Sequence, residues 1–451
     1  MNMGCPRMWR RSSSVTRPRT VLALQLAVVL VFILIGARLG GLGIAFAGAS
    51  GVIVLGLLGC RVNPTTGIPW DVLGIIIAVI SAVAAMQTAG GMDLLVKVSE
   101  RLLRRHPRRI TFYAPIITYV MTFLCGTGNV AFATLPVIAE VAKEGHVRPS
   151  RPLSISVVAS QIAICASPIS AATVAMSAIV EPRGVSYTKM VAFVTLVTFV
   201  GSMVGALFAS RQGVELDDDP VYKKRLAEGL VSSTSVTEYE IKPYARRSLI
   251  IFGVSLVVVM VYATAVTGMS NPPLPRTAAI MCVMMTAALM TKLLCHIDLT
   301  CVSDQSTFKG GMSAALCILG VAWLGNTFVS ANLDALQQFG QSVIQQYPWL
   351  LSVVLFFGAA LLYSQGATTV TFMPVAAAMN VSVGAMVASF PAVSGLFVLP
   401  TYPTVVAAIE MDDTGTTRIG KFVLNHPFLL PGIITIAAAV ALGFALAPLM
   451  L

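Results

Sequence analysis

Charge is what this sequence has little of. Of its 451 residues only 11% are Asp, Glu, Lys or Arg, against about a quarter in a water-soluble domain. With 56% apolar residues, that scarcity excludes a single water-soluble core. No stretch is polar enough to fold separately in water, so the chain reads as one membrane domain. Catalytic signatures are missing too. There is no H-E-x-x-H, no G-x-S-x-G and no phosphate-binding loop, so nothing points to an enzyme. The eight cysteines form no C-x-x-C pair, and most sit in apolar runs, where Cys behaves as a small hydrophobe. Cys295, His296 and Cys301 lie close together. A metal centre takes four protein ligands, or three and an open position, so none is expected there.

What the chain does have is a series of apolar runs of roughly 20 residues, the length that crosses a bilayer. Ten are read as spans: 21–37, 40–60, 71–91, 152–180, 187–209, 248–267, 277–295, 309–329, 384–410 and 425–449. Two more, 110–142 and 348–380, are interrupted in the middle. The first holds Cys125-Gly126-Thr127-Gly128-Asn129, the second Ser364-Gln365-Gly366-Ala367-Thr368-Thr369. Each is either two short spans or a hairpin that enters and returns. Charge placement favours hairpins. With both as hairpins and the N-terminus outside, inside loops collect 21 of the 30 Lys and Arg residues, as the positive-inside rule requires. The net charge of +11 therefore belongs to loops, and no nucleic-acid partner is expected.

The domain division follows. Residues 1–20 are a basic tail, 21–209 a first membrane half with hairpin 110–142, 210–247 a mobile cytoplasmic linker, and 248–451 a second half with hairpin 348–380. The tail holds Arg7, Arg10, Arg11, Arg17 and Arg19, which this topology puts outside. One explanation is that translation of the native protein begins near Val21. Finding peptides from residues 1–20 in the native protein would refute it.

The halves repeat. Aligning Pro136 with Pro374 brings Gly128 onto Gly366 and Val137 onto Val375. Downstream, Ser167-Pro168 and Tyr402-Pro403 each break a long apolar run. The order in both halves is span, amphipathic linker, hairpin, broken span. Corresponding spans are five apart, an odd number, so the second half is inverted. The expected fold class is thus an all-α polytopic membrane protein with an inverted-topology repeat, two re-entrant hairpins and two broken spans. Such repeats characterise secondary transporters, whose site lies near the midplane between discontinuous helices.

No span interior holds Asp, Glu, Lys or Arg. The polar groups at depth are Thr127, Asn129, Ser167, Ser170, Ser364, Gln365, Thr368, Thr369, Thr401 and Tyr402. This inventory suits an anion. A broken helix leaves free N–H groups and partial positive charge at its new N-terminus, and four breaks meeting at the midplane hold two carboxylates without Arg. Gly128 and Gly366 let backbone approach the ligand, and Pro168 holds a span open. These residues are the candidate substrate contacts. Each has a plainer reading, since Ser and Thr in membrane helices often bond the carbonyl one turn back. That reading is preferred for Ser170 and Thr371, and Tyr402 is either a packing residue or a contact. Opened carbonyls leave a coupling cation, H⁺ or Na⁺, open; no other cofactor is expected.

Three blocks carry a resemblance: Leu124 to Gly128, Arg151-Pro152 through Ser167-Pro168-Ile169-Ser170, and Leu399-Pro400-Thr401-Tyr402-Pro403. The last continues through Thr414-Gly415-Thr416-Thr417 and Asn425-His426 to Leu430-Pro431-Gly432. With these the chain resembles the anaerobic C4-dicarboxylate transporter (Dcu) family from about residue 20 to the end. The resemblance implies antiport of fumarate, succinate, malate and aspartate across a bacterial inner membrane. It also implies kinship with elevator-type transporters. In that picture spans 21–60 and 187–267 form a scaffold and the interface of a homodimer. The family pattern has Asp at Val405, Lys near Ala360, Asn at Tyr363 and His at Asn129, and the chain departs from all four. Those departures keep two alternatives in view, a transporter-like dicarboxylate sensor and a same-fold transporter of another organic anion.

Overall fold

A computed structural model describes residues 19–39, 42–231, 241–266, 272–335, 346–362, 364–398, 400, 402–420 and 425–451. The expected tail up to residue 18, Tyr363 and Thr401 lie outside the described residues. Every element among the described residues is helical. The first half comprises α1 (Arg19–Leu39), α2 (Gly43–Leu57), a single turn α3 (Pro64–Gly67), α4 (Trp70–Thr88) and α5 (Gly91–Arg105). It continues with α6 (Ile110–Cys125), α7 (Ala131–Glu144), α8 (Ser150–Ala166), α9 (Ala171–Val180) and α10 (Tyr187–Ala209). After the short α11 (Pro220–Ala227) come α12 (Ala245–Ala265), α13 (Arg276–Cys295) and α14 (Ser306–Ala331). The chain ends with α15 (Leu350–Leu362), α16 (Gln365–Ala378), α17 (Val383–Ser389), α18 (Pro403–Glu410) and α19 (Leu429–Met450).

Among the described residues seven helices are long and apolar enough to cross a membrane, eight with the bent pair Val383–Val398 and Pro403–Glu410. The protein is therefore polytopic. The two remaining expected spans are α1 and α2, which are apolar but hold shorter hydrophobic windows.

Both interrupted runs fold back on themselves. Helices α6 and α7 have 16 and 14 residues, or about 24 and 21 Å at 1.5 Å per residue, less than the roughly 30 Å of a hydrocarbon core. Gly145 at the end of α7 packs on the backbone of Pro107 just before α6, so the ends of this hairpin meet. Gly358 of α15 faces Phe372 of α16, equidistant from the tip, as an antiparallel pair requires.

Two bodies share the core. One surrounds α8, in which every residue but Ile164 is buried; the first hairpin, α10, the α17–α18 segment and α19 pack around it. The other joins α1, α2, one face of α4, α14 and, around the second tip, Leu362, Ala367 and Val370. Span 187–209, expected in a scaffold, lies in the first body. Gly201 is the reason: a Cβ there would stand 2.7 Å from the Thr435 carbonyl and 2.9 Å from Ala439 Cβ, so α10 and α19 touch backbone to backbone. Tyr119 Oη also lies 2.8 Å from Thr198 Oγ1, tying α6 to α10.

The basic loops gather on one face. Lys143 pairs with Asp413 at 2.9 Å, Arg148 with Asp219 at 2.9 Å and Arg151 with Glu215 at 2.8 Å. Arg225 donates to the Asp413 carbonyl at 2.8 Å. The part of the linker up to α11 is therefore docked on the loops before α8 and after α18. Beside it, buried Asp412 accepts from Thr414 N at 3.0 Å, Thr416 Oγ1 at 2.9 Å, Thr417 N at 2.7 Å and the Thr414 hydroxyl. Thr416 Oγ1 in turn accepts from Ser150 N, at the start of α8. Asp412→Ala strands two buried N–H groups and should lower stability by about 3 kcal/mol. Thermal unfolding in detergent reads this directly, and an unchanged midpoint would contradict it.

Candidate functional site

The two hairpin tips and the two breaks meet. At the first tip Gly126 ends α6 in a left-handed conformation (φ 71°), its N–H donating to the Thr122 carbonyl at 2.8 Å. That conformation strains any residue with a Cβ, which is why glycine stands there. A 3-10 turn from Gly128 to Val130 then leads into α7. At the second tip Ser364 is extended and caps α16, its Oγ accepting from Ala367 N at 3.2 Å. In the first broken span Ser167 and Ser170 are extended, and Ser170 Oγ caps α9 through Thr173 N at 3.1 Å. In the second, Tyr402 is extended before α18.

These four features wall a cavity of about 600 Å³. Gly128, Ala171, Gln365 and Pro403 all line it, so the starts of α7, α9, α16 and α18 point at one space. Helix N-termini bring N–H groups and partial positive charge to that space; Ser170 and Ser364 take one N–H each, and Pro403 has none. An apolar part of the lining comes from α4, through Ile76, Val79, Ile80 and Val83. Helix α14 closes the rest with Thr307, Gly311, Ser313 and Ile318.

Of the residues singled out in the sequence, Thr127, Gly128, Ser364, Gln365, Gly366 and Tyr402 line the cavity. Five others stand one layer back, holding backbone. Ser167 Oγ donates to the Phe123 carbonyl at 2.7 Å, and the Pro168 carbonyl accepts from Tyr187 Oη. Ser170 Oγ bonds the Ile164 carbonyl at 2.6 Å. Thr368 and Thr369 bond the carbonyls of Ser364 and Gln365 at 2.7 and 2.8 Å. Asn129 follows Gly128 in the 3-10 turn; its side chain, like Thr401, is outside the described residues. Thr371 differs from expectation. Its Oγ1 finds no hydrogen-bond partner, and its methyl stands over Gly325 of α14. Val405 and Ala360, the described departures from the family pattern, are both buried.

Two residues that sequence reasoning passed over belong to the site. Gln161, fully buried in α8, donates to Thr404 Oγ1 at 3.1 Å, and its carbonyl accepts from Gln365 Nε2 at 2.6 Å. A Cβ on Gly128 would stand 2.9 Å from Gln161 Nε2. Its signal was available: an amide inside an apolar run, shortly before Ser167-Pro168. The other is Arg38, in the last turn of α1, which lines the cavity. The positive-inside count by itself makes Arg38 a loop charge.

Residues 21–451 match the family described as the anaerobic C4-dicarboxylate membrane transporter. The chain is 51% identical over 435 residues to the C4-dicarboxylate transporter DcuA of Wolinella succinogenes, covering 96% of this chain and 100% of that one. It is 52% identical over 436 residues to DcuA of Escherichia coli K12, again covering 96% and 100%. The anaerobic C4-dicarboxylate transporter DcuB of Escherichia coli O6:H1 is 32% identical over 438 residues, covering 94% and 98%. With agreement of this extent, the chain is a transporter rather than an enzyme, and it belongs to the anaerobic C4-dicarboxylate membrane transporter family.

Proposed function

We propose that the protein exchanges C4-dicarboxylates such as fumarate, succinate, malate and aspartate across a bacterial inner membrane. The observation that carries this reading is the convergence of four helix N-termini on one cavity. A diacid presents two carboxylates, and each finds N–H donors from a tip and a break. Binding neutralises the partial positive charge of the site. In this reading the halves are inverted repeats and the hairpins are re-entrant. The body around α8 then moves against the body of α1, α2, α4 and α14 in an elevator-like step. The cavity is lined both by α4 and α14 and by the two tips, which supports this reading.

Thr127 and Ser364 stand at equivalent tips. Thr127→Ala and Ser364→Ala should each lower succinate exchange in proteoliposomes about tenfold, the loss of roughly 1.4 kcal/mol of ligand interaction. Protein amounts should be unchanged. Counterflow with a panel of mono- and dicarboxylates tests the substrate class in the same vesicles. Exchange at the wild-type rate in both variants would overturn the assignment of these tips.

A further inference from the structure

Arg38 is the one charged residue lining the cavity among the described residues. Its surroundings set it apart from the other cations of the basic face. Arg104, Lys143, Arg148 and Arg151 each have a carboxylate within 4 Å; among the described residues Arg38 has none. Its side chain is exposed, so the guanidinium is not satisfied by burial against backbone. Its height follows from packing. Helix α2 runs parallel to α14, with Gly48 against Gly320 and Gly51 against Leu324. The start of α2, soon after Arg38 in the chain, therefore falls near Ser313 and Cys317, which line the cavity with Arg38. Helix α14 begins at the basic face: Thr307 bonds Gln87 at 2.6 Å, and the neighbouring Thr88 carbonyl takes Lys242 Nζ at 3.0 Å. By the positive-inside rule that face is cytoplasmic. Arg38 thus stands between the cytoplasm and the hairpin tips.

We infer that Arg38 selects dianions entering from the cytoplasm, its guanidinium engaging one carboxylate while the other reaches the hairpin tips. This rests on the C4-dicarboxylate reading above. Helix N-termini carry only partial charge, which falls off within a turn, so they hold the carboxylates of a seated diacid and do not sort ligands on the way in. A full cation placed away from them rewards the second carboxylate. Guanidinium is suited to this because its fork matches a carboxylate in a bidentate way and it never deprotonates. Arg38 sits on α1, which packs on α2 in the body of α4 and α14, so it meets substrate only when the cavity opens to its own face. The role is therefore one-sided. The plain alternative is a topological anchor, an Arg that only holds the inner end of α1 at the headgroups.

The test compares the two sides of the full-length protein, using inside-out and right-side-out vesicles and radiolabelled succinate and butyrate. Arg38→Gln should raise the cytoplasmic KM for succinate about tenfold and leave the external KM within about twofold. Butyrate uptake should barely change, so the preference for the diacid collapses from one side only. Arg38→Lys, which keeps the charge, should restore most of the cytoplasmic affinity. Raising salt to about 0.5 M should raise the cytoplasmic KM of the wild type and not of Arg38→Gln. A merely anchoring Arg38 would lower the amount of inserted protein with KM unchanged, and that result overturns the inference. So does a KM raised equally on both sides. Wild-type vesicles that move no dicarboxylate would sink the substrate class, and this role with it.

Discussion

Gly320→Val should leave no monodisperse, folded protein in detergent. Helices α2 and α14 cross with their backbones in contact. A Cβ on Gly48 would lie 2.6 Å from the Gly320 carbonyl carbon and 2.9 Å from Val321 N. A Cβ on Gly320 would run into the carbonyl of Ala45. Backbone on both sides cannot yield as a flexible side chain does. The helices must part, and the contacts that depend on their approach go with them. Asn326 Nδ2 reaches the Gly67 carbonyl at 2.9 Å, and Asn332 Nδ2 reaches buried Gln25 Oε1 at 2.8 Å. Between helices in a bilayer, small-residue packing and such amide bonds supply most of the association. Overpacking a tight core costs about 1–3 kcal/mol, and losing the two amide bonds adds about 1–3 kcal/mol for each partner left unpaired. That is a large share of a typical total of about 5–15 kcal/mol. Size-exclusion chromatography and thermal unfolding would report the loss. Gly56→Ala is the control on the partner helix α2, because its Cβ would meet only Val62 Cγ2 at an ordinary 3.4 Å. A monodisperse Gly320→Val protein with an unchanged midpoint would refute the argument.

The hairpins and breaks were legible because Gly, Pro and polar residues interrupt long apolar runs at matching places, and interruption is a local property. Thr127, Gly128, Ser364, Gln365, Gly366 and Tyr402 all sit at such interruptions, and all six line the cavity. The second layer was less legible. Ser167 and Thr369 share composition and position with true lining residues, and only their orientation separates them. Orientation depends on which carbonyl stands opened nearby, here those of Phe123 and Gln365, and no sequence pattern states that. Gln161 and Arg38 were missed for the opposite reason. Neither lies at an interruption, so neither belonged to the motif being followed. Arg38 in particular fits the positive-inside count equally well as a loop charge or as a cavity charge. The placement of α10 depended on Gly201 meeting the backbone of α19, a contact between residues far apart in the chain.

Gln365→Leu should cut exchange about a hundredfold while the protein still folds. Gln365 is the first residue of α16, at the second hairpin tip, and is 3% exposed. Its Nε2 donates to the Gln161 carbonyl at 2.6 Å, and its Oε1 lies 3.4 Å from Cys165 Sγ. Cys165 Sγ in turn lies 3.3 Å from Ser394 Oγ. Gln161 carries the link onward to Thr404 beside the other break, and Gly128 of the first tip rests on its amide. One pair of glutamines therefore sets both tips and both breaks around the cavity. Leucine fills similar space without the amide, so the second tip loses its register against α8. A misplacement of about 1 Å at a positioned site costs on the order of a hundredfold. Gln365→Glu loses the same donor as Gln365→Leu and adds a charge, so comparing the two separates position from charge. A carboxylate in the first turn of α16 suits the helix dipole, but it cannot donate to the Gln161 carbonyl and is desolvated at this depth, so this variant should be less stable than the wild type. It also cancels the partial positive charge on which anion binding depends, so its KM for succinate should rise at least tenfold. Wild-type exchange by a folded Gln365→Glu protein would show that the N-terminus of α16 does not hold substrate. That result would remove the electrostatic basis of the site as described.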